Sequence, residues 1–516
     1  MTMLNALKND TNLTFTENGA LTHKTTTSNL MDMFAMGAAM RQRDESDIIL
    51  MWRKAFQENP VYALKCLFYI RDVRGGQGER RFFRTILTDA AKQADSREAI
   101  RRNMKHIPEF GRWDDLYAFI DTPLQEDALS IMKHQLALDV ECKTPSLLAK
   151  WLKSENASSK ESTRLGNITR SYLGMTHKEY RKVLAALRTR INVLEKLMSE
   201  NRWDEIEFDK IPSKAGLIYK NAFARHDLER MKNENVQSYA DFAKDENTKV
   251  NAGTLYPYEV VEKAINLMEP QPQSYTWARR EKPALDNTDR LMINKYWDNL
   301  TDYFNGATFN ALAMVDTSGS MLGTPMNVAV SFGLYCAEKA NGPFANHYIS
   351  FSSRPQLIEC EGVDFCDKVD RIVATNLCQN TNIEAAFNML LTTARRYKMS
   401  QADLPQNIIV ISDMEFDRAT GNYSYWNERP NEEQMHMADT LMEGIAKQWR
   451  AEGYEVPHLI FWNVNARQSN IPMLDGSKVS YVSGFSPSIF QSIMTGKSGY
   501  DLMMEVLNKE RYACIQ

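Results

Sequence analysis

What the chain lacks narrows it first. No run of 18 or more apolar residues occurs in its 516 residues, so a membrane-spanning helix is not expected. The opening segment, residues 1–15, scatters Asn, Asp, Thr and Lys among its apolar residues and has no secretory-signal core. Seven cysteines, an odd number, lie far apart with no Cys-x-x-Cys pair. That argues against disulfides and structural zinc, and for a reducing, cytoplasmic setting. Eight histidines are equally dispersed, with no His-Glu-x-x-His segment. Positive charge is not in excess either: 62 Lys+Arg face 66 Asp+Glu, a net charge of −4. A protein that coats nucleic acid with its whole surface is thereby disfavoured. What is present, 43% hydrophobic and 25% charged residues, belongs to a globular chain long enough for two to four domains.

The charge is unevenly spread. Residues 1–300 sum to +4 and residues 301–516 to −8. The patterns differ as well. Residues 1–40, rich in Thr, Asn, Met and Ala without a sustained period, read as a poorly ordered or draped N-terminus. Residues 41–305 read as helix after helix. Ile48, Ile49, Met51, Trp52 and Phe56 form one apolar stripe, and Phe82, Phe83, Ile86, Leu87 and Ala90 another. Further helices are expected at 124–140, 145–152, 177–198, 214–231 and 256–268, and no strand-length alternation interrupts them. Short connections suit an all-α, HEAT-like array of helical hairpins. Arg112-Trp113-Asp114-Asp115-Leu116 recurs as Arg202-Trp203-Asp204-Glu205-Ile206, an internal echo. In each copy the Trp and the aliphatic residue three positions on would anchor a new helix, its acids favoured by the helix dipole.

Gly75-Gly76-Gln77-Gly78 follows a helix and leads to Glu79-Arg80, not to Lys-Ser/Thr, so it reads as a helix–helix turn, not a phosphate loop. Two stretches, 71–105 and 160–196, concentrate Lys and Arg. Lining a concave face, Arg71, Arg74, Arg80, Arg81, Arg170, Lys178, Arg181 and Arg188 would bind RNA phosphates.

Residues 306–516 alternate strand and helix: strands at 311–315, 347–351, 356–360, 407–411, 458–464 and 479–482, with helices at 325–339, 382–397, 431–450 and from Pro487. This describes a doubly wound α/β sheet, whose ligands bind beyond the C-terminal strand ends. There the chain places Asp316-Thr317-Ser318-Gly319-Ser320, then Thr381 at a helix start, then Ser412-Asp413. This set resembles the metal-ion-dependent adhesion site of von Willebrand factor A domains. Ser318, Ser320 and Thr381 offer neutral hydroxyls to Mg²⁺ or another divalent cation, with Asp316 and Asp413 holding waters or hydroxyls behind them. Glu415 and Asp417 stand close enough in sequence to tune it. No nucleophile–base pair, Walker loop or dinucleotide fingerprint accompanies the set, so binding is expected in place of catalysis.

The segment Phe68–Arg80, with its Arg-Asp-x-Arg-Gly-Gly-x-Gly-Glu-Arg core, and Gly111-Arg112-Trp113-Asp114-Asp115 together resemble the signature of a family of uncharacterised bacterial, phage and plant proteins. Those proteins join a helical N-terminal part to a C-terminal von Willebrand A domain. The layout is remotely similar to the TROVE module of the Ro autoantigen family, where helical repeats form a ring closed by such a domain. That resemblance implies RNA as ligand, single-stranded or small and structured, and a non-enzymatic scaffold or RNA quality-control role in a ribonucleoprotein. The alternative reading is a metal-dependent adaptor that grips an acidic protein partner without RNA.

Overall fold

The computed structural model describes residues 11–191, 194–268, 287–304, 306, 310–339, 342–351, 354–375, 381–418, 439–474, 478–493 and 496–516. Two compact units emerge. The sheet unit comprises residues 1–66, 75–77 and 255–509; the helical unit comprises 67–74, 78–254 and 510–516.

The sheet unit is organised by two apolar strands, β3 (Ala311–Asp316) and β6 (Asn407–Ser412), buried along their whole length. Ile408, Ile409, Val410 and Ile411 suit a strand covered on both faces, which shows no alternation because neither face meets water. Around them stand β4 (His347–Phe351), β5 (Gln356–Glu359), β7 (His458–Asn463) and β8 (Val479–Ser483), in spatial order β5-β4-β3-β6-β7-β8. All pairs are parallel except β4–β5. Chain order reverses between β3 and β6, the place where such sheets open a ligand crevice. Helix Thr324–Lys339 packs directly on β3. A Cβ at Gly333 would meet Val315 Cγ2 at 2.5 Å, so glycine permits that close approach. Helix Ile383–Tyr397 starts at Asn382, whose side chain accepts from the Ala385 N–H at 2.9 Å.

The expectation of a poorly ordered stretch over residues 1–40 is corrected for 11–40; residues 1–10 lie outside the described residues. β1 (Leu13–Phe15) pairs antiparallel with β2 (Leu21–His23), and helix Asn29–Met36 follows, capped by Ser28. Both belong to the sheet unit, with Met31, Met33, Phe34 and Met36 all buried. A helix buried on every side shows no amphipathic period, and three-residue strands are too short to show alternation. The domain boundary at 305 also shifts: helices Pro257–Met268 and Asn287–Asp298 count with the sheet unit, the former packing on helix Thr324–Lys339. The expected helix at 431–450 is described only as Leu441–Ala451, 431–438 lying outside the described residues.

The helical unit holds helices Arg81–Lys92, Gln125–Glu141, Lys160–Leu173, His177–Arg190 and Ser213–Arg225 among shorter ones. Residues 72–80 form the connection between helix Pro60–Arg71 and helix Arg81–Lys92, with Gly78 at φ +65°. The echoed Trp segments are both 3₁₀ turns, Trp113–Phe119 and Trp203–Glu205. Their acids differ from the helix-dipole expectation. Asp114 and Asp115 are buried ion-pair partners, whereas Glu205 is exposed and pairs locally with Arg202.

Those pairs explain the signature segments. Asp115 Oδ2 accepts from Arg71 Nε at 2.8 Å and from the Arg112 N–H at 2.9 Å, and Oδ1 accepts from Arg84 Nε at 2.7 Å. A Cβ at Gly111 would stand 2.3 Å from Asp115 Oδ2, so the glycine before Arg112 makes room for this centre. Asp72 accepts from Arg511 Nη2 at 2.7 Å and Tyr512 Oη at 3.1 Å. The two segments are therefore joined through one charge-paired core.

Candidate functional site

β3 and β6 run side by side with Val315 opposite Ile411, so Asp316 and Ser412 emerge together at the switch point. Asp316 Oδ2 accepts from Ser412 Oγ at 2.5 Å, and Oδ1 from the Ser318 N–H at 2.9 Å. The turn that follows brings Ser318 Oγ and Ser320 Oγ to 2.9 Å. Asp413 Oδ1 accepts from the Glu415 N–H at 3.2 Å, and the turn is tightened by Met414 at φ +66°. Buried Thr381 is tied to the same loop, its carbonyl accepting from the Asp417 N–H at 2.9 Å. Its neighbour Asn380 lies outside the described residues. Strand ends and loops from β3, β6 and the start of helix Ile383–Tyr397 thus carry all five expected metal residues.

The acids of these loops are perturbed by their burial. Burial first, and then the Asp413 charge, push the Asp316 carboxyl up to about 7. Asp413 is also raised by burial, against the lowering pull of the Ser320 hydroxyl, the Glu415 amide and Arg467. Glu415 is pushed up to about 7 by burial. Asp413 Oδ2 is buried with no hydrogen-bond partner. Two buried carboxylates held together, an orphaned oxygen and the adjoining Ser318 and Ser320 hydroxyls fit a hard divalent ion that prefers oxygen ligands. Among the described residues no group of three or more His, Cys, Asp or Glu side chains stands where it could hold a metal ion.

Glu415 is no free base. Its Oε2 accepts from the Glu17 N–H at 2.6 Å and Oε1 from Asn470 Nδ2 at 2.8 Å. Glu17, Arg467 and Asn470 are neighbours of the site that the sequence reading missed. They come from segments about 400 and 50 residues away along the chain, and no spacing marks them.

The basic residues divide. Arg71 is buried, its side chain 2% exposed and paired with Asp115, so it is removed from any RNA face. Arg188 is spent on the Ala149 and Leu152 carbonyls at 2.9 and 3.0 Å, and Arg170 on Glu155 at 2.6 Å. Arg74, Arg80, Arg81, Lys178 and Arg181 remain exposed, Arg74 beside Glu109. Six described cysteines are free thiols, Cys66, Cys336, Cys360 and Cys366 buried, Cys142 and Cys514 exposed. No described helix is long and apolar enough to cross a membrane.

Against known proteins, the family model described as Domain of unknown function (DUF2828) matches residues 16–146 and 134–306, and Domain of unknown function (DUF7788) matches 310–512. A curated relative, Uncharacterized protein L728 of Acanthamoeba polyphaga mimivirus, is 27% identical, over 94% of this chain and 85% of its own length. Among solved structures, the Deinococcus radiodurans RO (RSR) protein is matched with a TM-score of 0.46 and 14% identity, over 94% of this chain and all of that one.

Proposed function

The chain belongs to the DUF2828 family, and from that starting point we propose that it is a non-catalytic RNA-binding scaffold whose sheet unit carries a Mg²⁺-dependent second binding site. The observation that carries the metal half is the cluster of Asp316, Asp413, Ser318, Ser320 and Thr381 at the switch point. Ser318, Ser320 and Thr381 would hold the ion, with Asp316 and Asp413 supporting them. A cation held mainly by neutral oxygens stays electrophilic and can accept an oxyanion from a partner. Binding is favoured over turnover because Glu415, two residues past Asp413, has both oxygens engaged.

The RNA half is supported by Arg74, Arg80, Arg81, Lys178 and Arg181, the exposed members of the two basic stretches, and by a sequence layout remotely similar to the TROVE module. Anisotropy titration of a short single-stranded RNA at increasing salt tests it, with affinity expected to fall linearly on a log–log scale. Undetectable binding at low salt would sink it. The adaptor reading keeps one specific point in its favour: the cation site lies in the acidic part of the chain, where an RNA backbone is repelled. Pull-downs with EDTA or RNase separate the two, since an adaptor loses its partners to EDTA and an RNA scaffold to RNase.

A further inference from the structure

The candidate cation site already has a positive charge beside it. Arg467 lies in the loop after β7, with Nε 3.3 Å from Asp413 Oδ2 and Nη2 paired to the Glu17 carboxylate. Glu17 sits at the tip of the β1–β2 hairpin. That hairpin is fastened to the loop carrying Asp413. Thr16 Oγ1 donates to the Phe416 carbonyl at 2.7 Å, and Asn18 Nδ2 to the Glu415 carbonyl at 2.6 Å. The Glu17 N–H donates to the Glu415 carboxyl at 2.6 Å, and Gly19 bridges to Asp417. Its second strand is fastened to the loop carrying Arg467, His23 and Ile471 exchanging backbone bonds of 3.2 and 2.9 Å. One hairpin therefore clasps both members of the Asp413–Arg467 pair.

The pair itself is loosely made. Arg467 Nε and Asp413 Oδ2 are both buried, and neither makes a hydrogen bond. The backbone of Arg467 is held, its N–H on the Asn465 carbonyl at 2.9 Å and its carbonyl on Arg43 Nη1 at 3.1 Å. Only the side chain is left to move, and its hold on Asp413 is charge attraction without directional bonding.

We propose that Arg467 is a built-in counter-ion of the cation site, displaced from Asp413 when a divalent ion binds, so that site occupancy is coupled through Glu17 to the seating of the N-terminal hairpin. A divalent ion held by the hydroxyls beside Asp413 repels the guanidinium and competes for the same carboxylate charge, and the displaced guanidinium keeps its second acid, Glu17. This inference rests on the cation-site reading above.

The test titrates the full chain with Mn²⁺, reading free ion by paramagnetic resonance, and follows hydrogen exchange at residues 16–20 with and without the ion. Arg467→Gln should tighten Mn²⁺ binding by roughly tenfold, since a positive charge a few ångströms away is removed. Glu17→Gln should weaken it several-fold, because the guanidinium is left with Asp413 as its acid. A purely structural role would weaken binding in both variants, so the opposite signs are the signature. Exchange at 16–20 should respond to Mn²⁺ in the parent protein and not in Arg467→Gln. Equal or weaker binding by Arg467→Gln, or an indifferent hairpin, overturns the coupling while the cation site stands. If the parent protein and Asp316→Ala both fail to bind Mn²⁺, the site and the coupling fall together.

Discussion

The two units bury charge in opposite ways. In the helical unit, Asp114 is held below the usual carboxylate range: burial works against it, but Arg84 and Arg112 outweigh burial. Asp115 is gripped by Arg71 and Arg84. In the sheet unit, Asp316 and Asp413 are buried beside each other and both are raised. Charge of both signs brought together in a core is scaffolding, satisfied within the fold. Two acids brought together with only the loosely held Arg467 to oppose them are incompletely compensated, and such perturbed groups cluster at functional sites. The contrast teaches which buried charges to call architecture: Arg71, Asp72 and Asp115, in the more distinctive motif around Gly75 and Gly111, are spent on one another and on Arg84 and Arg511.

The sharpest way to break this contrast is Asp115→Ala. It strands Arg71 in the core and should cost about 3–5 kcal/mol in urea unfolding, with Mn²⁺ affinity unchanged. A cost under about 1 kcal/mol would mean the pair is not structural. Asp316→Asn should do the reverse: little or no loss of stability in EDTA, because a desolvated carboxyl is removed, and abolition of the rise in Tm that Mg²⁺ produces.

Next in size is pH. With EDTA present, Asp316 is protonated in the folded state up to about 7 but only up to about 4 when unfolded, so the folded state holds more protons in between. Stability should therefore be highest near pH 4 from this group and decline as pH rises towards 7; Mg²⁺ should restore it at the upper end. A Tm in EDTA that climbs over that range would contradict the assignment. The smallest effect is expected at the surface. Lys178→Ala with Arg181→Ala should reduce the salt slope of RNA binding by about 2 without changing Tm, whereas Arg188→Ala should lower Tm and leave the slope alone.

Much of the sheet unit was readable in advance because its rule is local. Continuous apolar runs at 311–315 and 407–411 announce buried strands, and the polar residues after them place Asp316, Ser318, Ser320 and Asp413 at their C-terminal ends, with Thr381 at a helix start. What was not readable is whatever depends on a distant partner. Arg71 and Arg80 look alike in sequence, yet Arg71 meets Asp115, 44 residues on, and becomes core. Arg467 and Glu17 stand at opposite ends of the chain, so nothing in either neighbourhood signals that they meet. The hairpin at 13–23 was hidden because its strands are three residues long and find part of their pairing at Ile471.

One thread crosses the chain from end to end. Residues 510–516 complete the helical unit, with Arg511 on Asp72 and the Gln516 N–H on the Asn103 side chain at 3.0 Å. During synthesis, residues 67–254 leave the ribosome tens of seconds before those partners, at ordinary elongation rates. Through that interval Asp72 waits without its guanidinium, and the 255–509 stretch has time to collapse first. The order of birth thus imposes an order of closure, with residues 510–516 acting as the latch of the helical unit.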